Sequence, residues 1–220
     1  MENRAINTPK HVLEFIKRMR EVASVINDQK LVEFWDGAYR LFSGGNWSLP
    51  IGVRVRGETL LDVRVLSTTS RANMLDAKVL AEILADNMDK HALHTLDMAY
   101  SALMLMHARG APPAEVIGVV MKIAEVTSSR PLMRLLKTYR DAVTGSAKLK
   151  VVVSYEDGKY VLKDAAGVLK PVAVDAVTPG AVKDWVESRY WDVVEYAFDY
   201  LKKKVQRIYA KIKPKIIKSF

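Results

Sequence analysis

Histidine and lysine are the residues of this chain best suited to chemistry, and they point to different kinds of it. His91 and His94 stand three positions apart in a helical pattern with Asp97 three further on, so two imidazoles and a carboxylate lie near one helix face, as a zinc site would need. A further protein ligand would have to come from elsewhere, and neither His-Glu-x-x-His nor Glu-x-x-His occurs. Two histidines on a surface or a helix interface are therefore expected, with no metal and no cofactor. Cysteine is absent, which removes disulfides, thiolate metal sites and a thiol nucleophile.

Other catalytic signatures are missing too. There is no Gly-x-Ser-x-Gly elbow, no P-loop and no Gly-x-Gly-x-x-Gly fingerprint. Gly44-Gly45-Asn46 reads as a helix stop. Pairs of acids at helical spacing, Glu33 with Asp36 and Asp86 with Asp89, have lysine or arginine nearby and read as solvated surface. The chain is expected not to be an enzyme.

The basic residues are localised. Lys202, Lys203, Lys204, Arg207, Lys211, Lys213, Lys215 and Lys218 follow one another with no acid between them, and account for eight of the net nine positive charges. Residues 1–201 are thus left at +1, a near-neutral body with a cationic end. A helical wheel puts Lys203, Lys204, Arg207 and Lys211 opposite a stripe of Leu201, Val205, Ile208 and Ile212, so one side can pack while the other meets an anion. A smaller basic stripe, Arg130, Arg134, Lys137 and Arg140, precedes Asp141.

The elements that must carry these charges can be read from periodicity. Thr8-Pro9 starts a helix whose stripe is Val12, Phe15, Ile16, Met19, Val22, Ala23 and Ile26. Asp28 caps a second with Leu31, Val32, Trp35, Tyr39 and Phe42, stopped at Gly44-Gly45, and the two should pair antiparallel. From Ile51 to Leu66 the period changes to two. A three-residue loop Gly57-Glu58-Thr59 sets Val55 against Leu61, Val53 against Val63 and Ile51 against Val65, with Arg54 opposite Asp62. Arg54, Arg56 and Arg64 then read as a solvated face. After the polar link Ser67-Thr68-Thr69-Ser70, Asn73 with Asp76 starts a helix that continues, after a break near Asp89, to Ala108. Its stretch from Met98 to Met106 is apolar nearly all round and is expected to be the central buried helix.

Gly110 ends that helix, Pro112-Pro113 opens another through Val116, Ile117, Val119, Val120 and Ile123, and Ser129 with Pro131 opens one with Leu132, Leu135, Leu136 and Tyr139. Short strands follow: Leu149 to Val153, a turn at Glu156-Asp157-Gly158-Lys159, a return through Tyr160 to Lys163, a turn at Asp164 to Gly167, and a last strand from Val168 to Val174 with Pro171 suited to an edge. This small sheet should pack on helices, since three strands alone are marginal. Thr178-Pro179 then starts what reads as one helix of roughly 35 residues, running to Pro214.

The expected fold is mainly α: a helical body over 1–144 with a hairpin at 51–66, an antiparallel meander over 145–177, and a C-terminal helix over 178–220 with a basic end, forming one compact unit. Half of the residues are hydrophobic, enough for a sizeable core. The polar start from Met1 to Lys10 has no apolar signal segment and no stretch reaches bilayer length, so a cytoplasmic or virion location is expected. Only Gln29 and Gln206 represent glutamine among many charged residues, a thermophile-like bias.

Three partners suit the basic end. Nucleic acid, DNA or RNA, would be held by its backbone and read little by sequence, because lysine outnumbers arginine seven to one among the eight charges. Tyr200, Tyr209 and Phe220 could stack bases, although Tyr209 falls on the apolar stripe. The amphipathic helix could instead lie on an anionic membrane, or its apolar seam could join another copy in a homo-oligomer. Nucleic-acid binding with self-association through apolar helix faces is the leading expectation. By analogy of overall character, a viral nucleoprotein or capsid-like coat, or a helical non-catalytic subunit of a ribonucleoprotein such as a CRISPR effector, would fit.

Overall fold

The computed structural model describes residues 9–43, 51–56, 60–65, 77–146 and 148–217, the backbone alone being described for the parts of 51–80 and for Ile217. Thr8, Gly44-Gly45-Asn46, the 57–59 loop, the 66–70 link, Asn73 with Asp76, Lys218 and Phe220 lie outside the described residues. The fold is mainly α, with a two-stranded hairpin and a three-stranded antiparallel meander. The chain divides into two compact units, Met1–Ala99 with Lys202–Phe220, and Tyr100–Leu201.

In the first unit, α1 (Lys10–Val25) and α2 (Gln29–Phe42) form the expected pair. Arg20 bonds Asp36 at 2.6 Å and Lys17 lies over the Tyr39 ring, so residue numbers fall on one helix as they rise on the other, and Phe15 meets Trp35 edge-on between them. The stripe predicted for α1 is the buried one, Val12, Phe15, Ile16, Met19, Val22 and Ala23, with Ile26 at its edge. Asp28 accepts from the backbone N–H of Leu31, capping α2 as expected. β1 (Ile51–Arg56) and β2 (Leu60–Val65) pair in the expected register, Ile51 with Val65, Val53 with Val63, Arg54 with Asp62 and Val55 with Leu61.

The helix α3 (Ala77–Ala108) is unbroken, without the expected interruption near Asp89. Nothing in it breaks helix, since neither glycine nor proline occurs between its ends, and Asn87 spends its side chain on the carbonyl of Ile83 one turn back. The expectation of an all-round buried segment also fails. Met104 and Leu105 are 51% and 58% exposed, and between Met98 and Met106 only Ala99 and Leu103 are buried. Apolar residues on every face do not bury a helix unless neighbours cover every face.

The second unit holds α4 (Pro113–Val126), α5 (Arg130–Val143), β3 (Val151–Glu156), β4 (Lys159–Asp164), β5 (Val172–Val174) and α6 (Pro179–Ser188). The strands are ordered β3-β4-β5. Asp157 and Gly158, both at positive φ, make the two-residue turn between Glu156 and Lys159 that Asp-Gly favours. The flanks are shorter than expected: Leu149 precedes the first strand, and the third begins only after Pro171, which has no N–H to give a ladder. As expected, the sheet docks on helices. The Tyr139 hydroxyl of α5 donates to Asp164, and that buried carboxylate also accepts from the backbone N–H groups of Ala166, Val168 and Leu169.

The single C-terminal helix expected from Thr178 is two helices. Thr178 does cap the first, accepting from Ala181 N–H, but α6 stops at Ser188 and α7 (Tyr190–Ile217) begins after Arg189. Trp185 and Asp192 stand on either side of this break and hold the same residue, the indole donating to the Lys170 carbonyl and the carboxylate accepting from the Lys170 N–H, both at 2.9 Å. Periodicity is blind to such a break, because one residue outside helical geometry hardly shifts the apolar positions. Nor does Pro214 end the helix. It removes one N–H, and because both Pro214 and Ala210 are exposed, water can satisfy the carbonyl that loses it.

Four helix ends share one connection. At Asn27, Gly110, Ser128 and Gly145 the chain turns left-handed, and the N–H of that residue and of the one after it close back on the helix, as in Asn27 to Ser24 and Asp28 to Ala23. Glycine marks two of these in the sequence; Asn27 and Ser128 give a weaker signal.

Candidate nucleic-acid interface

The cationic half of α7 is positioned by its apolar half. Leu201, Val205, Tyr209, Ile212 and Ile216 are buried, spaced by three and four residues, while Ile208 sits at the margin, so the stripe is turned slightly from the predicted one. Tyr209, the expected packing residue, donates its hydroxyl to the Ala85 carbonyl of α3, and burial raises its pKa well above the usual phenol value. Tyr200 is half-buried. The seam expected to receive a partner or a bilayer is therefore occupied inside the chain. Val193, Val194, Ala197 and Phe198 are buried in the second unit, and the residues from Val205 onward in the first.

One flank of the stripe is neutralised. Lys202 bonds Asp97 at 2.6 Å and Lys213 bonds Asp86 at 3.5 Å. The two lysines are eleven residues apart on α7 and the two aspartates eleven apart on α3, three helical turns in each case, so antiparallel helices meet in register at both ends. Asp86, exposed as the sequence reading expects, and Asp97, read beside two histidines, also serve as counter-charges for the basic segment.

The opposite flank gains charge. Lys204 is half-buried, and its pKa is lowered by burial first and by the guanidinium of Arg18 second. Arg18 lies on α1, nearly two hundred residues away in sequence, and periodicity marks it only as a margin position of its helix.

Between the flanks lie Lys203, Arg207 and Lys211, all exposed, at successive turns of α7. Among the described residues no acid pairs with any of the three. Lys215 is exposed as well. A row of this kind, about 12 Å from Lys203 to Lys211 at 1.5 Å per residue, offers mobile point charges to an extended polyanion.

The second basic stripe belongs to the other unit. Arg130, Arg134 and Lys137 are exposed on α5 without an acidic partner among the described residues, while Arg140 is half-buried with Asp141 at 3.8 Å.

His91 and His107 pack against other rings. His91 is buried, stacked on Phe34 with ring centroids 4.3 Å apart, and burial together with nearby His94 and Lys90 lowers its pKa to about 4. Its carbonyl accepts from Thr95, whose hydroxyl accepts from the Trp35 indole. His107 bonds the Tyr190 hydroxyl within an aromatic cluster that includes Trp191, Tyr100 and Phe198. His11 Nε2 is buried with no hydrogen-bond partner among the described residues. Among those residues no group of three or more histidines and carboxylates is placed to hold a metal ion, and no helix is long and apolar enough to cross a membrane.

No protein-family model, curated protein or solved structure matches this chain.

Proposed function

We propose that this chain is a non-enzymatic nucleic-acid-binding protein that holds a phosphate backbone without reading sequence and acts as one copy in a nucleoprotein-like assembly. The observation that carries the reading is the exposed row of Lys203, Arg207 and Lys211, which stays without acidic partners while lysines on a neighbouring face of the same helix are neutralised. Charge kept outward on a helix whose apolar side is already filled has an anion as its simplest use. Lysine-rich, extended and convex, the row suits phosphate contact rather than base-edge recognition. Burial of the apolar stripe counts against the membrane alternative, which needs that stripe free.

Fluorescence anisotropy with random-sequence DNA and RNA, single- and double-stranded, over a salt series tests the reading. Replacing Lys203, Arg207 and Lys211 by glutamine should weaken binding at low salt and flatten the log–log salt slope on duplex DNA by about 2.7, near 0.9 for each phosphate no longer neutralised. Unchanged binding and slope would move the site off α7.

A further inference from the structure

The two edges of the small sheet are built differently. β5 is three residues long, follows Pro171 and is flanked by the Lys159–Asp175 ion pair, the usual devices that stop an edge from pairing. β3 is neither short nor preceded by proline, and its ion pair, Glu156 with Lys163 at 2.8 Å, lies at its turn end. It runs six residues as Val-Val-Val-Ser-Tyr-Glu, with Val152, Val153 and Tyr155 exposed at 54%, 44% and 66%. Its main-chain groups can be sorted by the turn. In a two-residue hairpin the Glu156–Lys159 pair is hydrogen-bonded, so Ser154 and Val152 also face β4, and the bond from Ala165 N–H to the Lys150 carbonyl continues that alternation. Val151, Val153 and Tyr155 therefore point their N–H and C=O groups away from the sheet, and among the described residues no bond outside the sheet reaches them.

We propose that β3 is a self-association surface on which a second copy of this chain pairs its own β3 antiparallel, about a two-fold axis through Val153. The register is chosen by the strand itself. With Val153 opposite its own copy, Val151 meets Tyr155 of the second copy and all three outward residues of each strand are bonded; any shift leaves at least one without a partner inside the second copy's β3. The same register sets Lys150 opposite Glu156 of the second copy, where it joins Lys163 against that carboxylate, and Val152 opposite Ser154. Opposite charges thus meet at both ends of an apolar centre. Tyr155, already in edge contact with Tyr160 at 5.1 Å, extends that apolar surface. Two meanders become one six-stranded sheet. This deepens the assembly half of the function proposed above and moves it from the apolar stripe of α7, which is filled, to a strand edge; it involves none of the α7 lysines.

The test uses the full chain, freed of nucleic acid and held at high salt, so that its outcome is separate from that of nucleic-acid binding. Sedimentation velocity should show a concentration-dependent dimer. Val153→Pro removes an outward N–H only, as an edge strand tolerates, and should weaken the dimer about tenfold or more. Lys150→Glu should weaken it too, and Lys150→Glu with Glu156→Lys should restore it. Because the chain has no cysteine, Val153→Cys supplies a second readout. Hydrogen-bonded antiparallel partners have Cα atoms about 5.5 Å apart, within disulfide range, so mild oxidation should give a covalent dimer, while the exposed control Asp184→Cys should not. A full chain monomeric at every concentration, a Val153→Pro variant that dimerises as the parent does, or a Val153→Cys variant that stays monomeric on oxidation would each overturn the pairing.

Discussion

The imidazole of His91 lies against the ring of Phe34, centroids 4.3 Å apart and planes 30° apart, in a site that admits little water. Charging this ring in place is costly, which is why its pKa falls to about 4.

A pH dependence follows. Between pH 6.5 and about 4 the unfolded chain takes up a proton that folded His91 refuses, so stability falls as pH drops through that window and levels off below it. The loss attributable to this residue is about 3 kcal/mol at 1.36 kcal/mol per pKa unit. Urea midpoints of the parent and of His91→Gln, measured from pH 7 to 4, should converge as pH falls. Parallel curves would assign acid sensitivity to other groups.

Asp164 is the tie between α5 and the meander. Removing it by Asp164→Ala leaves the Tyr139 hydroxyl and three N–H groups without their acceptor, and should cost about 3 kcal/mol or more. Tyr139→Phe removes one donor and leaves the carboxylate its backbone bonds, so about 1–2 kcal/mol is expected. Equal urea midpoints for the two variants would contradict this ranking.

Asp192 and Lys170 form an ion pair whose two ends matter unequally. The carboxylate is buried and holds the Lys170 N–H, whereas the ammonium at 3.2 Å is largely in water. Asp192→Ala should therefore lower stability by about 2 kcal/mol, and Lys170→Ala, which keeps the backbone bond, by under about 0.5 kcal/mol. Thermal melts of the two variants distinguish backbone anchoring from charge pairing.

Gly158 completes the β3–β4 turn at φ 82°, where a side chain is strained. Gly158→Ala should lower stability by about 1 kcal/mol, and amide exchange should quicken first in β3 and β4. Faster exchange confined to α1 and α2 would mean the turn is not what holds the hairpin.

For the proposed nucleic-acid binding, Lys202 and Lys213 provide internal controls for the row between them. Since Asp97 and Asp86 already hold them, replacing both by glutamine should change the salt slope by less than replacing Lys203 and Arg207. An equal change would show that the ion pairs open on binding.

Several of these features follow from sequence alone. The stripe from Val12 to Ala23, the Asp28 and Thr178 caps, the 51–65 register and the Asp157-Gly158 turn are local: each depends on residues a few positions apart, where steric and hydrogen-bonding preferences act directly. The exposure of Lys203, Arg207 and Lys211 belongs with them, since helical spacing alone sets them away from the apolar stripe. What only the tertiary structure decides depends on residues remote in sequence. Asp86 and Asp97 cancel two of the cations, Arg18 joins a third, Lys170 is gripped from both sides of a break at Arg189, and Met104 and Leu105 stay in water for want of a neighbour. Periodicity records which way a side chain points from its own helix or strand; charge neutralisation and burial depend on what stands opposite, and that is set by how the elements pack.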